Sequence, residues 1–467
     1  MEAKLKKQSD RGRLVERRWE ARPEALGGRS ARRGFIYEAY VPAAIADDDF
    51  LLGSHIAAAA ANAEQACREL NEDPPALANL EALARQLLRA ESVASSRIEG
   101  LVLSHRRLAK AAFSTDARDL TAQGVLANIS ALERAVALAA EVDEFKPEHL
   151  LEVHRVLFAG TRDEHFGGLR REEQNWIGGA ASSPRNAEFI PPPHELVPEL
   201  LDDLCAFCNR GDVPAVIQAA VAHAQFETIH PFQDGNGRVG RALILIILRR
   251  REIAPRYLPP VSLALAGEAD RYVGGLTSWR NGDEEDWYTV FVDAVHRASA
   301  HARTFAGRVA ELQRDWTERA GNPRRGSGPL RLIELLPSQP IINVKIAAQL
   351  LGGTEERARQ VIVRLERAGV LRQTTVGRRN RAWECVGLFD LLDRFERELG
   401  PSTRTPAPDA LTRLARPRVA ELNVGPADYR PHARRPARPS EAAAAYAGRC
   451  EPGVTCVPHA LLPAPTL

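Results

Sequence analysis

The sequence predicts a mainly α-helical fold: a helical core with one small β-hairpin, followed by a winged helix-turn-helix domain. Three observations carry this expectation. Apolar residues recur at helical spacing in segment after segment between 57 and 248. The pattern breaks once, at 166–193, into short β-prone pieces around Ser, Pro and Gly, which fits a hairpin. Past the stretch Gly321–Gly328, a helix–turn–helix pattern is followed by strand, basic tip and strand.

In chain order, residues 1–35 are rich in Arg, Lys and Glu and poor in large apolar groups, which predicts a disordered basic arm. Helical periodicity covers 57–70 and 76–98. In the second segment Leu80, Leu83, Leu87, Glu91 with Ala94, and Ile98 trace one face. Gly100 follows as a C-cap, and Ser95 and Glu99, four apart, share a side of that helix. Further helices are expected at 123–140, 147–157, 194–208 and 213–229, the last delivering His230. The apolar run 242–248 reads as a buried helix. Residues 300–320 predict one more helix before a Gly-rich linker. Helices are then expected at 329–336, 343–351 and 354–368, with Thr354 as an N-cap before an acidic first turn. Strands at 371–375 and 382–385 flank the basic tip 377–381. Beyond 401 the Pro-, Arg- and Ala-rich chain predicts a disordered tail.

At 467 residues the chain has room for two or three domains, and a net charge of +2 is too near neutral to imply a nucleic-acid partner for the whole molecule, so any such signal must be local. No run approaches the ~20 apolar residues of a membrane helix. The first residues lack the apolar segment of a secretory signal, so the expected setting is cytoplasmic, with no membrane partner. Six cysteines are scattered; Cys205 and Cys208 have C-x-x-C spacing but lie in an apolar helical pattern with no second pair, which predicts reduced, packed thiols.

The chemistry concentrates in twelve residues, His230-Pro-Phe-Gln-Asp-Gly-Asn-Gly-Arg-Val-Gly-Arg241. Asp-Gly-Asn-Gly reads as a tight turn ahead of a helix whose first N–H groups make an anion site. Arg238 and Arg241, three apart, face that site. Asp234 is a hard oxygen ligand suited to Mg²⁺, and His230 can accept a proton near neutral pH. These residue types together point to nucleotide-dependent group transfer with a His base.

His-Pro-Phe-x-Asp-Gly-Asn-Gly-Arg-x-x-Arg resembles the signature of the Fic family, with every fixed position filled. The resemblance covers about 40–300 and implies AMP transfer from ATP to a Ser, Thr or Tyr hydroxyl of a target protein. It implies His230 as the catalytic base, Phe232 as a core anchor and Asp234 as the Mg²⁺ ligand. Gly235, Asn236 and Gly237 would bind the phosphates, Asn236 stabilising charge on the α-phosphate, while Arg238 and Arg241 hold the β- and γ-phosphates. Ser95-x-x-x-Glu99-Gly100 is similar to the family's inhibitory motif, whose Glu pairs with the second signature Arg, here Arg241, and keeps the γ-phosphate from seating. The hairpin, 174–193, corresponds to the family's flap, which docks the target by strand addition. Where relatives carry Tyr-Tyr near the adenine, this chain has Tyr272-Val273; Tyr272 and Asn281 are the corresponding nucleotide contacts, and a core Tyr fits the sequence as well.

The expected organisation is therefore a basic arm (1–35), an N-terminal helical region with the inhibitory helix (36–120), a Fic catalytic core (121–300), a helix and linker (301–327), a winged helix (328–398) and a tail (399–467). Arg357, Arg359, Arg364 and Arg367 with Arg378, Arg379 and Arg381 form a local basic surface on the winged helix. DNA contact, protein docking and homodimer formation all stay open for it. Two alternatives to AMP transfer also stay open. One is removal of AMP, or transfer of another nucleotide or phosphate group, at the same site. The other is a DNA-binding regulator with a ligand-sensing core.

Overall fold

The computed structural model describes residues 11–20, 34–72, 80–113, 119–179, 183–376 and 380–399. The expected tail from 400 onward lies outside them, as do Arg378 and Arg379 of the basic tip.

Within the expected disordered arm, residues 12–19 form a strand instead. Strand β1 (Gly12–Trp19) pairs antiparallel with β2 (Phe35–Pro42), Leu14 opposite Tyr40 and Trp19 opposite Phe35. Its charges hid a period of two: Glu16 and Arg18 are exposed while Trp19, Ala39 and Val41 are buried. A strand with one solvated face tolerates Arg and Glu there.

The helical body begins with α1 (Ser54–Glu72), α2 (Leu80–Ile98), α3 (His105–Ala111), α4 (Leu120–Glu141) and α5 (Pro147–Phe158). Gly100 ends α2 at φ +81°, and Leu101 N donates to Ser96 O at 2.9 Å, closing a Schellman-type turn. Asp119 caps α4 by accepting from Ala122 N at 3.1 Å. Among the described residues, the hairpin expected at 174–193 shows one antiparallel bridge, Ile177 opposite Phe189. Pro191, Pro192 and Pro193 follow directly and carry no N–H to extend a ladder.

Next come α6 (Val197–Cys208), α7 (Ala215–Ile229), α8 (Asn236–Arg250), α9 (Val261–Gly267) and α10 (Ala269–Arg280). Every residue of α7 is buried, which makes it the central helix of the body. Its polar side chains are bonded rather than solvated: Gln218 Nε2 donates to Phe207 O and Arg210 O, and Gln225 Nε2 to Ala43 O.

The expected helix at 300–320 is the second half of a single 36-residue helix, α11 (Glu284–Arg319), so the expected boundary at 300 is corrected: it falls inside an unbroken element. Asp283 caps it by accepting from Asp286 N, and Trp287, Phe291, Val295, Ala298, Ala302, Phe305 and Val309 form its buried stripe. The C-terminal segment comprises α12 (Gly328–Leu335), β3 (Ile341–Ile342), α13 (Val344–Leu351), α14 (Glu355–Arg367), β4 (Leu371–Val376), β5 (Asn380–Cys385) and α15 (Leu388–Leu399). The sheet order is β3-β5-β4, all antiparallel. Thr354 caps α14 by accepting from Arg357 N. The hydrophobic core runs without a break into this segment, where Phe305 stacks on Phe395 at 4.8 Å and Trp316 Nε1 donates to Val386 O at 3.0 Å.

Cys67, Cys205, Cys208 and Cys385 are buried and unbridged, and burial pushes the Cys67 thiol up to about 11. Among the described residues, no helix is long and apolar enough to cross a membrane.

Candidate active site

The turn between α7 and α8 is built by backbone conformations that few residues adopt. His230 ends α7 in the left-handed region (φ 51°, ψ 60°), its N–H bonded to Phe226 O at 2.9 Å. A non-glycine residue held there stores strain, a frequent mark of functional sites. Gly235 (φ 78°) opens α8, and a Cβ on it would lie 2.9 Å from the Phe158 ring.

Several side chains lock this turn. Asn236 Oδ1 accepts from Phe232 N and its Nδ2 donates to Phe232 O, both at 2.8 Å. Phe232 is fully buried and stacks on His154 at 3.8 Å. His154 Nδ1 accepts from Gly168 N, so the ring proton sits on Nε2, which donates to Asp234 O at 3.0 Å. Burial holds that imidazole neutral, lowering its pKa to about 4. Arg171 Nε donates to His230 O at 2.9 Å and Asn175 Nδ2 to Phe232 O at 3.1 Å. The segment 171–175 is thus stitched to the turn it faces.

His230 is the one imidazole at this turn with nothing attached to its ring. Both ring nitrogens lack a hydrogen-bond partner although the residue is only 4% exposed. Burial, and then the cation Arg171, lower its pKa to about 3, with the Glu227 carbonyl opposing. The ring is neutral and free to accept a proton, but at about 3 it is a weaker base than the near-neutral acceptor expected from the sequence, because burial and Arg171 disfavour the imidazolium.

Arg241 is 1% exposed and fully engaged by the end of α2. Its Nε donates to Ser95 Oγ (2.9 Å), and Nη2 to Ser95 O (2.9 Å) and Glu99 Oε1 (2.7 Å). The four-residue spacing of Ser95 and Glu99 is what lets both meet one guanidinium. Gly237 makes room: a Cβ there would stand 2.0 Å from Glu99 Oε1. Arg241 stays firmly protonated, because Glu99, Tyr272 and Glu227 outweigh the cost of burial.

Asp234 Oδ1 accepts from Gly235 N, while Oδ2 lies 3.6 Å from Arg238 Nη2 on a side chain 45% exposed. Arg238 also lies over the Phe158 ring at 5.3 Å. The described residues contain no cluster of three or more His, Cys, Asp or Glu that could hold a metal. One open carboxylate beside the N-terminus of α8 nevertheless suits Mg²⁺, which takes one or two protein carboxylates plus phosphate oxygens.

Three expectations are corrected by packing. Asn236 has both amide atoms on the Phe232 backbone and serves as a brace of the turn, so its side chain does not reach toward an α-phosphate. Tyr272 is 1% exposed, its hydroxyl 2.7 Å from His223 Nε2 and its ring against His223 and Trp287; it presents no open face to a base. Arg238 and Arg241 do not share one spot, since Arg241 is drawn to α2 and Arg238 to Phe158 and Asp234. Asn281 is exposed just beyond α10. On α14, Arg357, Arg359, Arg364 and Arg367 are exposed, as is Arg381 on β5; Arg364 donates to Ala320 O at 3.0 Å.

Sequence reasoning missed His154, Arg171, Asn175 and Glu227. His154 was findable, since it sits in the apolar stripe of Leu150, Val153 and Leu157. Nothing local separates buried Arg171 from its exposed neighbour Arg170. The bridge residue Phe189 and the N-terminal hairpin also meet: Tyr40 N donates to Ile190 O at 2.9 Å and the Tyr40 and Phe189 rings are 6.1 Å apart.

Close helix packing yields a first prediction. A Cβ on Gly240 would lie 2.6 Å from Glu227 Oε1 and 2.9 Å from the Phe226 ring. Gly240→Ala is therefore expected to destabilise the fold by about 1–3 kcal/mol, the usual cost of overpacking, read as a lower denaturation midpoint.

Residues 144–248 match the Fic/DOC family, and residues 57–137 match the Fic/DOC family N-terminal segment. The chain is 33% identical over 125 residues to the protein adenylyltransferase fic-1 of Caenorhabditis elegans, covering 26% of this chain and 23% of that one. It is 28% identical over 201 residues to the protein adenylyltransferase Fic of Culex quinquefasciatus, covering 40% of this chain and 38% of that one. The chain thus spans well under half the length of these curated relatives. Among solved structures, a Fic family protein from Desulfovibrio desulfuricans G20 aligns with a TM-score of 0.47 at 20% identity, over 72% of this chain and 98% of that one.

Proposed function

The chain is a Fic domain protein, and on that premise we propose that it transfers AMP from ATP to a hydroxyl group of a target protein, under restraint by Glu99. The observation that carries the reading is one buried turn holding an unengaged neutral imidazole, a half-exposed carboxylate and two guanidinium groups at a helix N-terminus. The Ser, Thr or Tyr hydroxyl would give its proton to a ring nitrogen of His230 as its oxygen attacks the α-phosphorus. The bond from that phosphorus to the β-phosphate oxygen breaks, and diphosphate leaves. Bound Mg²⁺, held by Asp234, would neutralise charge on the phosphates. The N–H groups opening α8 and Arg238 hold the leaving group in line, since such transfers need positioning and charge stabilisation above all. Arg241 joins them only when Glu99 withdraws. The hairpin around Ile177 and Phe189, buttressed by β2, is the docking edge for the target backbone.

The test is labelling with ATP carrying radioactive α-phosphate in Mg²⁺, using wild type, Glu99→Gly and Glu99→Gly/His230→Ala. Label entering protein in Glu99→Gly and lost with His230→Ala is expected. Label from the γ- but not the α-phosphate would replace AMP transfer with phosphoryl transfer. A pH profile follows from the same geometry. His230 works neutral and is protonated only near pH 3, so single-turnover transfer by Glu99→Gly should show no acid limb near the ordinary histidine pKa of about 6.5. A limb centred there would mean the ring is solvated in the working state.

A further inference from the structure

The helix that carries Ser95 and Glu99 is held from behind by the C-terminal segment. On α2, Gln86 Nε2 donates to Pro337 O and Arg89 Nη1 to Ser338 O at 3.2 Å. At its last turn Arg97 Nη2 donates to Glu396 Oε2 at 2.8 Å. Just past that turn, His105 Nε2 stands 2.8 Å from Glu396 Oε1. The two oxygens of Glu396 therefore face the residues that bracket Glu99, Oε2 bonded to Arg97 and Oε1 close to His105.

Directions along the helix make this arrangement informative. Residues two apart on a helix do not share a face, so Arg97 reaches back to α15 while Glu99 reaches forward to Arg241. The Glu396 side chain is 15% exposed, that of Arg97 29% and that of His105 3%, so the contact is partly shielded from the screening that weakens surface pairs. Nor does α15 float: Phe395 stacks on Phe305 of α11, and Glu398 accepts from Arg308. A continuous path thus runs from α11 through α15, Glu396 and Arg97 to Glu99 and Arg241.

We propose that Glu396 is a positioning residue for the active site, fixing the last turn of α2 through Arg97 and His105 so that Glu99 reaches Arg241. The proposal rests on the restraining role given to Glu99 above. It makes the C-terminal segment the handle on that restraint: a ligand that shifts α15 would act on Arg241 without touching the turn at 230–241.

Hydrogen exchange and AMP transfer on the full chain test this together. Glu396→Gln, and separately Arg97→Gln, should speed amide exchange across 96–103 by about tenfold while leaving α7 and α8 protected, as expected for a local opening. In the transfer assay Glu396→Gln should raise the rate with Glu99 present and add nothing in Glu99→Gly, the non-additivity of two residues acting through one contact. Unchanged exchange in both variants, or an equal rate gain with and without Glu99, overturns the proposal. Faster exchange with no label in any variant, Glu99→Gly included, would sustain the hold of Glu396 on α2 and instead reject AMP transfer.

Discussion

In a chain freed of Glu99, His230→Ala is expected to lower AMP transfer about 10³-fold, within the range a positioned general base supplies, with ATP affinity close to that of the parent. The separation of the two effects follows from how the turn is held. The His230 backbone, not its ring, anchors the turn: its N–H bonds to Phe226 O and its carbonyl accepts from Arg171. Alanine keeps both bonds, and it adds little strain of its own at φ 51°, since histidine already occupies that left-handed position without glycine's freedom. The groups proposed to hold the phosphates, the α8 N–H groups and Arg238, are untouched. Single-turnover labelling beside equilibrium ATP binding would check this. Joint loss of binding and transfer would make the imidazole a structural element and remove it from the chemistry.

Glu99→Gly is expected to raise transfer about 10²-fold. Arg241 now gives Nε and Nη2 to Ser95 and Glu99, so a γ-phosphate must displace a carboxylate from a guanidinium 1% exposed. Breaking a buried pair by removing one partner typically costs 3–5 kcal/mol. If about 3 kcal/mol of that pairing opposes the phosphate, the rate gain at 1.36 kcal/mol per decade is about 10²-fold. The same substitution should lower the denaturation midpoint without nucleotide, because Arg241 is left buried with Ser95 alone as its hydrogen-bond partner on α2. Added ATP should restore it by mass action. A rate equal to wild type would sink the inhibitory role, whatever happened to stability.

Much of the site was legible because its determinants are local. Asp234-Gly235-Asn236-Gly237 specifies a turn and a helix start within four residues, and the periodicity of α7 and α8 brings both helices to it. Ser95 and Glu99 announce a shared face by spacing alone. That Glu99 meets Arg241, 142 residues away, came only through a family resemblance, because no short window contains a contact of that separation. The β1 strand was misread for the opposite reason: its composition is that of a disordered arm, and its order depends on Phe35–Pro42 pairing beside it.

By itself, then, the sequence determined most of the helices, the Gly100 and Thr354 caps, the turn at 230–241 and the chemical character of its groups, since each rests on neighbours a few residues apart. Only the tertiary structure decided which polar groups are buried together. Packing turned Asn236 inward as a brace, moved Tyr272 into the core beside His223, chose Arg171 over Arg170 and tied Glu396 to the end of α2. Burial makes each of those choices costly to undo, because a polar group removed from water must find its partner among whatever the fold places beside it.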